Sequence, residues 1–326
     1  MKAVITGASG VVGNAVLRHL LDSGAVVRAL LRPGRALSKA AAAQVEAIPG
    51  DILIPDSLRG AFAGADVVFH VAGVNQMCLP DPASMYRANV DGTRNVIHAA
   101  RVAGVPRVVY TSSAATIGEP SGETGHEDSV HRGRYLSHYE RSKHQAEEVA
   151  MTAAEGIEVV IVNPSSVQGP GRSTGTGKLL LDLVNGRIGS VFDTRFSIVD
   201  IDDCARGHLL AAERGRDRRR YLLNSFTLEM REAIKLLEQV VGRRIPVRML
   251  PPWLAVGAAT GVGVIYRLLG RKAPVCGEMV RTLLHGHAYD GSRATRELGL
   301  IYSTPDATLR RFVEWASAQG LLQRRV

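Results

Sequence analysis

Lys2-Ala3-Val4-Ile5-Thr6 runs straight into Gly7-Ala8-Ser9-Gly10-Val11-Val12-Gly13, and this opening decides the fold. A short β-branched run, spaced glycines and then helical periodicity over Val11–Ser23 read as strand, tight turn and helix. Gly7 permits the turn, Gly10 lets a pyrophosphate approach the backbone, and Gly13 lets the helix pack on the strand. The free N–H groups and partial positive charge of the helix N-terminus suit phosphate. Gly7, Ser9, Gly10, Val11, Val12 and Gly13 are therefore the candidate phosphate loop.

Further along, Val26–Leu31, Val45–Ile48, Asp66–His70, Arg107–Thr111 and Ile157–Val162 read as buried parallel strands. Helical periodicity separates them over Pro55–Phe62, Pro82–Ala103 and Tyr135–Glu155. Such alternation implies an α/β fold, a doubly wound parallel sheet with helices on both faces. After residue 164 the pattern changes to a Gly/Pro/Ser-rich loop, Ser165–Gly177, and then helices. Those near Leu179–Asn185, Asp202–Glu213, Leu228–Val241 and Thr304–Ala318 suggest a smaller, mainly helical cap over the carboxyl edge of the sheet. The expected division is a nucleotide-binding domain at 1–164 and a substrate-binding region at 165–326, with about 190–225 returning to the core.

Composition bounds the classes. The 326 residues are 45% apolar and 22% charged, enough for a sizeable core without metal or disulfide staples. Forty Lys+Arg against 31 Asp+Glu give a net charge of +9. The arginines are scattered, and the densest run (Arg214, Arg216, Arg218, Arg219, Arg220) lacks interleaved aromatics, so no nucleic-acid partner is expected. Cys78, Cys204 and Cys276 are odd in number and far apart. That spacing predicts no disulfide framework and a reducing, cytoplasmic setting, with Cys78 a buried small hydrophobe. The start, MKAVITGASG, lacks the regions of a signal peptide. Met249–Tyr266 is uncharged and long enough to span a membrane, but Pro251-Pro252 and three glycines argue for an apolar helix over a core or pocket. Peripheral membrane contact stays open.

The end of the second strand selects the dinucleotide. An acid there would accept bonds from a ribose 2′-hydroxyl, whereas Val27-Arg28-Ala29-Leu30-Leu31-Arg32 ends on a guanidinium able to clamp a 2′-phosphate. NADP(H) is thus favoured over NAD(H). Asp51 and Ile52 follow the third strand, where Asp51 would bond the adenine amino group. Val71, Ala72 and Gly73 follow the fourth, where small residues let a cofactor lie on the backbone.

Tyr139 and Lys143 are four residues apart, so they share one helical face. An unperturbed phenol is a poor base at neutrality, and a nearby ammonium is expected to favour phenolate. Tyr139 then exchanges a proton with a carbonyl/alcohol pair, Ser113 polarises the carbonyl, and Asn89 continues the proton path through water. His126, His131, His138 and His144 match no common zinc spacing, so no metal is expected.

These motifs together (TGASGVVG, VRALLRPG, GDI, HVAG, YRANVDGTRNV, VVYTSS, YERSK, NPSSVQGPG, IVDIDD and YDGSRA followed by ELG) resemble the extended short-chain dehydrogenase/reductases. The similarity is to the branch of dihydroflavonol-4-reductase-like proteins and hopanoid-associated sugar epimerases, and it runs nearly end to end. It implies catalytic roles for Ser113, Tyr139 and Lys143, and cofactor contacts from Arg32 and Asp51. It also implies that Asn163, Pro164 and Val167 line the nicotinamide pocket. A homodimer through the helices beginning near Pro82 and Tyr135 follows from the same resemblance.

Three functions compete. An NADPH-dependent reductase of a hydrophobic carbonyl, or dehydrogenase of the matching secondary alcohol, leads. A nucleotide-sugar epimerase with tightly bound NAD would want an acid where Arg32 stands, and phosphate-binding groups such as Lys178 and Arg195 in the cap. A non-catalytic NADP-binding regulator sits poorly with an intact Ser113, Tyr139 and Lys143. No Asp-Glu pair follows Ser112-Ser113, which argues against a dehydratase.

Overall fold

In the computed structural model, residues 1–251 and 276–323 are described. The strands are β1 (Lys2–Thr6), β2 (Val26–Leu31), β3 (Glu46–Pro49), β4 (Val67–His70), β5 (Arg107–Thr111) and β6 (Glu158–Pro164). With Arg220–Leu223 they form one seven-stranded sheet, ordered Arg220–Leu223, β6, β5, β4, β1, β2, β3. Every pairing in it is parallel.

The period of two along each strand builds two cores at once. On one face Ala3, Ile5, Val109, Val160 and Val162 meet the helices Val11–Asp22 and Ile201–Arg214. On the other face Val4, Val108, Tyr110, Val159 and Ile161 meet Gly92–Val102 and His138–Thr152. Both faces are covered, which is why the strands read as near-continuous apolar runs.

The chain winds outward from β1 through β2 to β3, then returns to place β4 on the other side of β1. That reversal opens a crevice at the carboxyl ends of β1 and β4. The two loops there abut closely: a Cβ on Gly7 would lie 2.6 Å from the Ala72 nitrogen, and Gly7 holds φ +78°.

The helix expected over Pro82–Ala103 is interrupted. It runs as Ala83–Tyr86, a π-turn Arg87–Asp91, and Gly92–Val102. The Thr93 hydroxyl donates to the Asn89 carbonyl at 2.6 Å, taking an acceptor from the helical ladder. The helix expected from Tyr135 begins instead at His138, because the Ser137 hydroxyl accepts from the Glu140 N–H at 3.1 Å and caps it.

Beyond β6, a three-stranded sheet (Phe226–Glu229, Arg195–Asp200, Ser166–Gln168) and a two-stranded one (Arg248–Leu250, Ser190–Phe192) support the cap. Its own core gathers Leu180, Leu183, Met230, Leu237, Leu309 and Phe312.

The cysteine expectation is overturned. Cys78 and Cys276 form a disulfide across 198 residues, with Cα atoms 5.7 Å apart. Spacing along the chain said nothing of it because the cap folds back over the loop after β4. With this bond goes the argument from cysteine count for a reducing compartment. Cys78 is half-buried and bonded, not a buried hydrophobe; Cys204 is the buried free thiol. No helix among the described residues is long and apolar enough to cross a membrane. Most of the apolar stretch Met249–Tyr266 lies outside them.

Candidate active site

A cavity of about 970 Å³ runs from the phosphate loop under the cap. One end is walled by Gly7, Ser9, Gly10, Val11, Val12 and Gly13, with Arg32, Asp51, Ile52, Val71, Ala72 and Gly73 beside them. Arg32 and Arg35 are exposed, and neither has a carboxylate partner among the described residues. The Asp51 carboxylate accepts from the Leu53 N–H at 2.9 Å, and Ser57 Oγ accepts from the Asp51 N–H at 2.9 Å, so this turn is fixed by its own side chains.

These residues fit a dinucleotide. A Cβ on Gly13 would stand 2.1 Å from the Gly7 carbonyl oxygen, so the helix start can lie this close to the loop only with glycine there. Ser165 Oγ and Arg172 Nε, on the same cavity, are buried donors without a partner among the described residues. Gly171 brings its loop toward the phosphate loop, a Cβ there standing 3.9 Å from Val11 Cγ1.

Ser113, Tyr139 and Lys143 open on the middle of the cavity with Thr111 and Ser112. Ser113 lies two residues past β5 and caps the turn Ala114–Ile117, accepting from the Ala115 N–H at 3.3 Å. Burial raises the Tyr139 phenol above its usual value, while a hydrogen bond with Ser113 and the Arg172 guanidinium draw it down. Burial also brings the Lys143 ammonium down to about 7, with the Glu147 carboxylate pulling it up. The expected lowering of the phenol by the ammonium is therefore not the arrangement here. Lys143 Nζ donates to the Thr111 carbonyl at 2.7 Å and lies 4.6 Å over the Tyr110 ring. Desolvation dominates both groups.

Beneath this layer, Glu147 anchors the end of β5. It accepts from Ser112 Oγ at 2.5 Å, Thr116 Oγ1 at 2.9 Å and Asn163 Nδ2 at 2.9 Å, and pairs with Arg220 at 3.3 Å. Asn163 is fully buried and also donates to the Ser113 carbonyl at 3.2 Å. It stands behind the wall, whereas Pro164 and Val167 are on it. Asn89 is likewise behind the wall. Its Oδ1 accepts from the Val74 N–H at 2.8 Å, and its Nδ2 donates to the Val74 carbonyl at 3.0 Å and to Ser142 Oγ at 2.9 Å. It holds the Val74 loop to the catalytic helix.

The far end is amphiphilic. Met77, Leu179, Phe196, Met230, Met279 and Leu283 supply apolar wall, and Arg172, Arg195 and His287 supply basic groups. Lys178 pairs with Asp182 instead of facing the cavity. Sequence reading missed Arg172, Glu147 and the group Glu119, His285 and His287, whose ligand atoms lie within 4.8 Å of one another. Arg172 directly follows NPSSVQGPG, and His285-Gly286-His287 stands one residue, Ala288, before YDGSRA, so both were legible as flanks. Glu119 carried no local signal.

A parallel sheet with this crevice and a Ser/Tyr/Lys set on it defines a nicotinamide-dinucleotide enzyme of the Rossmann type. The chain belongs to the NAD dependent epimerase/dehydratase family, whose model matches residues 3–223. It is 33% identical to a protein of Synechocystis sp. provisionally named a dihydroflavonol 4-reductase, over 98% of this chain and 95% of that one. It is 31% identical to the 4-hydroxy-2-methyl-3-oxo-4-farnesyl-3,4-dihydroquinoline-1-oxide ketoreductase of Stigmatella aurantiaca, covering 92% and 91% of the two chains. The crystal structure of gox2253 superposes with a TM-score of 0.86 at 31% identity, covering 99% of each chain.

Proposed function

We propose that the protein reduces the ketone of a hydrophobic small molecule, or oxidises the matching secondary alcohol, with NADP(H) preferred over NAD(H). The observation carrying this is the junction of two features on one cavity: Ser113, Tyr139 and Lys143 at its centre, and Arg32 and Arg35, without a carboxylate partner among the described residues, at its dinucleotide end. A bound nicotinamide dinucleotide supplies or takes the hydride. Gly7, Gly10 and Gly13 hold its diphosphate, Arg32 the 2′-phosphate and Asp51 the adenine.

Tyr139 Oη gives its proton to the carbonyl oxygen as the alcohol forms, and Ser113 donates to that oxygen as negative charge develops. The raised phenol suits the acid role, since Tyr139 keeps its proton through neutral pH. Lys143 holds the ribose hydroxyls, and the apolar far wall shields the substrate from water. A homodimer through the helices near Pro82 and Tyr135 belongs to this proposal, supported by the family resemblance.

Thermal melting with NADPH, with NADH, and with NADPH plus UDP tests the reading, because a ligand of the native state raises the midpoint by mass action. The expected result is a shift with NADPH, a smaller one with NADH and none added by UDP. A preference for NADH with a further shift from UDP makes nucleotide-sugar epimerisation the better reading.

A further inference from the structure

Glu119, His285 and His287 form a cluster of titratable groups that the scheme above leaves unused. Glu119 is 1% exposed, just beyond the turn Ala114–Ile117. His287 Nδ1 lies 2.6 Å from Glu119 Oε1 and 3.0 Å from the Tyr289 hydroxyl, with its ring stacked on Tyr289 at 5.6 Å. His285 Nε2 donates to the Glu119 carbonyl at 3.1 Å and stands 3.5 Å from Oε1. The backbone carrying His287 is pinned on both sides. Ser197 Oγ donates to the His287 carbonyl at 3.3 Å and accepts from the Tyr289 N–H at 3.1 Å, and the Gly125 N–H donates to Ala288 at 2.9 Å.

Burial alone would raise the Glu119 carboxyl, yet the hydrogen bonds from His285 and His287 outweigh it and bring it down to about 2. A fixed anion behind Nδ1 selects the tautomer with its proton on Nδ1. That leaves the Nε2 lone pair, which has no protein partner among the described residues, on a side chain that lines the cavity. A base on the lining of a substrate cavity, held through its other ring nitrogen by a carboxylate, is the arrangement that activates a proton acceptor.

We propose that His287 is a second proton-transfer residue of this cavity, positioned by Glu119 and acting on the C–H bond next to the substrate carbonyl. This rests on the reading of the cavity as a ketone site. Nε2 takes the proton, the C–H electron pair becomes the C=C bond of an enolate, and the carbonyl oxygen takes the displaced pair as an oxyanion held by hydrogen bonds from Tyr139 and Ser113. Returning a proton from the imidazolium, after exchange with water, to the same face restores the ketone with exchange, and delivery of a proton from water at the opposite face restores it inverted. The cycle is redox-neutral, and its outcome is exchange or inversion at that carbon. The chain would then combine carbonyl reduction with control of the neighbouring stereocentre.

The test uses enantiopure 2-methylcyclohexanone and 2-methyl-1-tetralone in D2O with the full-length protein and NADP⁺, which offers no hydride. Deuterium at the α carbon is read by mass spectrometry and loss of optical purity by chiral chromatography. Reduction of the same ketones by NADPH is measured in parallel. The expected result is exchange well above the protein-free rate, with the ratio of exchange to reduction falling at least tenfold in His287→Gln. Reduction without enzymic exchange, or an unchanged ratio in His287→Gln, overturns the proposal while leaving the reductase reading intact.

Exchange lost to EDTA and restored by Zn²⁺ also overturns it, assigning the three side chains to a metal. A chain that reduces neither ketone counts against the reductase reading, and imidazole NMR then decides the inference. A downfield Nδ1–H proton of His287, lost in folded Glu119→Gln, supports the pair. Its absence in the wild type overturns it.

Discussion

The two ends of the cavity are built by different means. The dinucleotide end is made of turns that leave β1, β2, β3 and β4, each fixed within a few residues of its strand. Gly7 with its positive φ and Asp51 bonded to Leu53 are both of this kind. The substrate end is assembled from Met77, Arg172, Arg195, Met230, Met279 and His287, which five separate segments bring together. A site written in local turns is readable from a chain; a site written in tertiary assembly is readable only from the fold.

The contrast is tested hardest at the centre of the cavity. Tyr139→Phe is expected to cut the turnover of ketone reduction by about 10²- to 10⁴-fold, the usual worth of a positioned proton donor. Steady-state NADPH oxidation measures it. NADPH binding should persist, since the phosphate end is untouched.

Gly7→Ala attacks the dinucleotide end. The added Cβ meets the Ala72 nitrogen at 2.6 Å on a backbone of φ +78°. Steric overlap of this sort costs about 1–3 kcal/mol. Urea denaturation is expected to show that loss together with loss of NADPH binding.

Arg32→Ala should weaken NADPH by about tenfold, within the range for a charge-assisted contact, and weaken NADH far less. Fluorescence titration separates the two. Equal losses would mean that the exposed guanidinium does not meet a 2′-phosphate.

Lys143 supplies a pH test. Its folded value of about 7 lies below the unfolded 10.5, so between these limits the unfolded chain binds the extra proton. Native stability from this group therefore rises with pH across that window and is lowest below it. Lys143→Met is expected to raise the melting midpoint relative to wild type at pH 6, with the advantage shrinking toward pH 10.

The smallest effect belongs to the cap. Cys276→Ser removes the link from the helix Gly277–His285 to the loop after β4, where Glu278 still accepts from the Cys78 N–H at 3.2 Å and the His138 N–H at 2.9 Å. The midpoint should fall modestly by calorimetry, while NADPH affinity stays in place.

What the sequence made legible follows the same division. The strand positions fell within a residue or two, because runs such as KAVIT and RVVYT are buried on both faces and carry their pattern internally. Tyr139 and Lys143 were legible as a pair because a four-residue spacing puts them on one helical face, and both open on the cavity. The phenol's shift was misjudged because burial, a tertiary quantity, outweighs the neighbouring charge. The disulfide and the Glu119, His285 and His287 group escaped for the related reason that their partners meet only when the cap closes on the sheet. Asn89 and Asn163 were placed in the right neighbourhood, yet their side chains face other protein groups, a distinction that depends on rotamer and not on spacing.

The most direct test of the central claim follows the hydride. Unlabelled ketone is incubated with NADPH deuterated at C4 of the nicotinamide, and the products are examined by NMR. The expected product is an alcohol carrying deuterium on its carbinol carbon, formed in step with NADPH consumption and slowed by about 10²- to 10⁴-fold with Tyr139→Phe. NADPH left unconsumed, with interconversion of a UDP-sugar and no net change in cofactor, would contradict it.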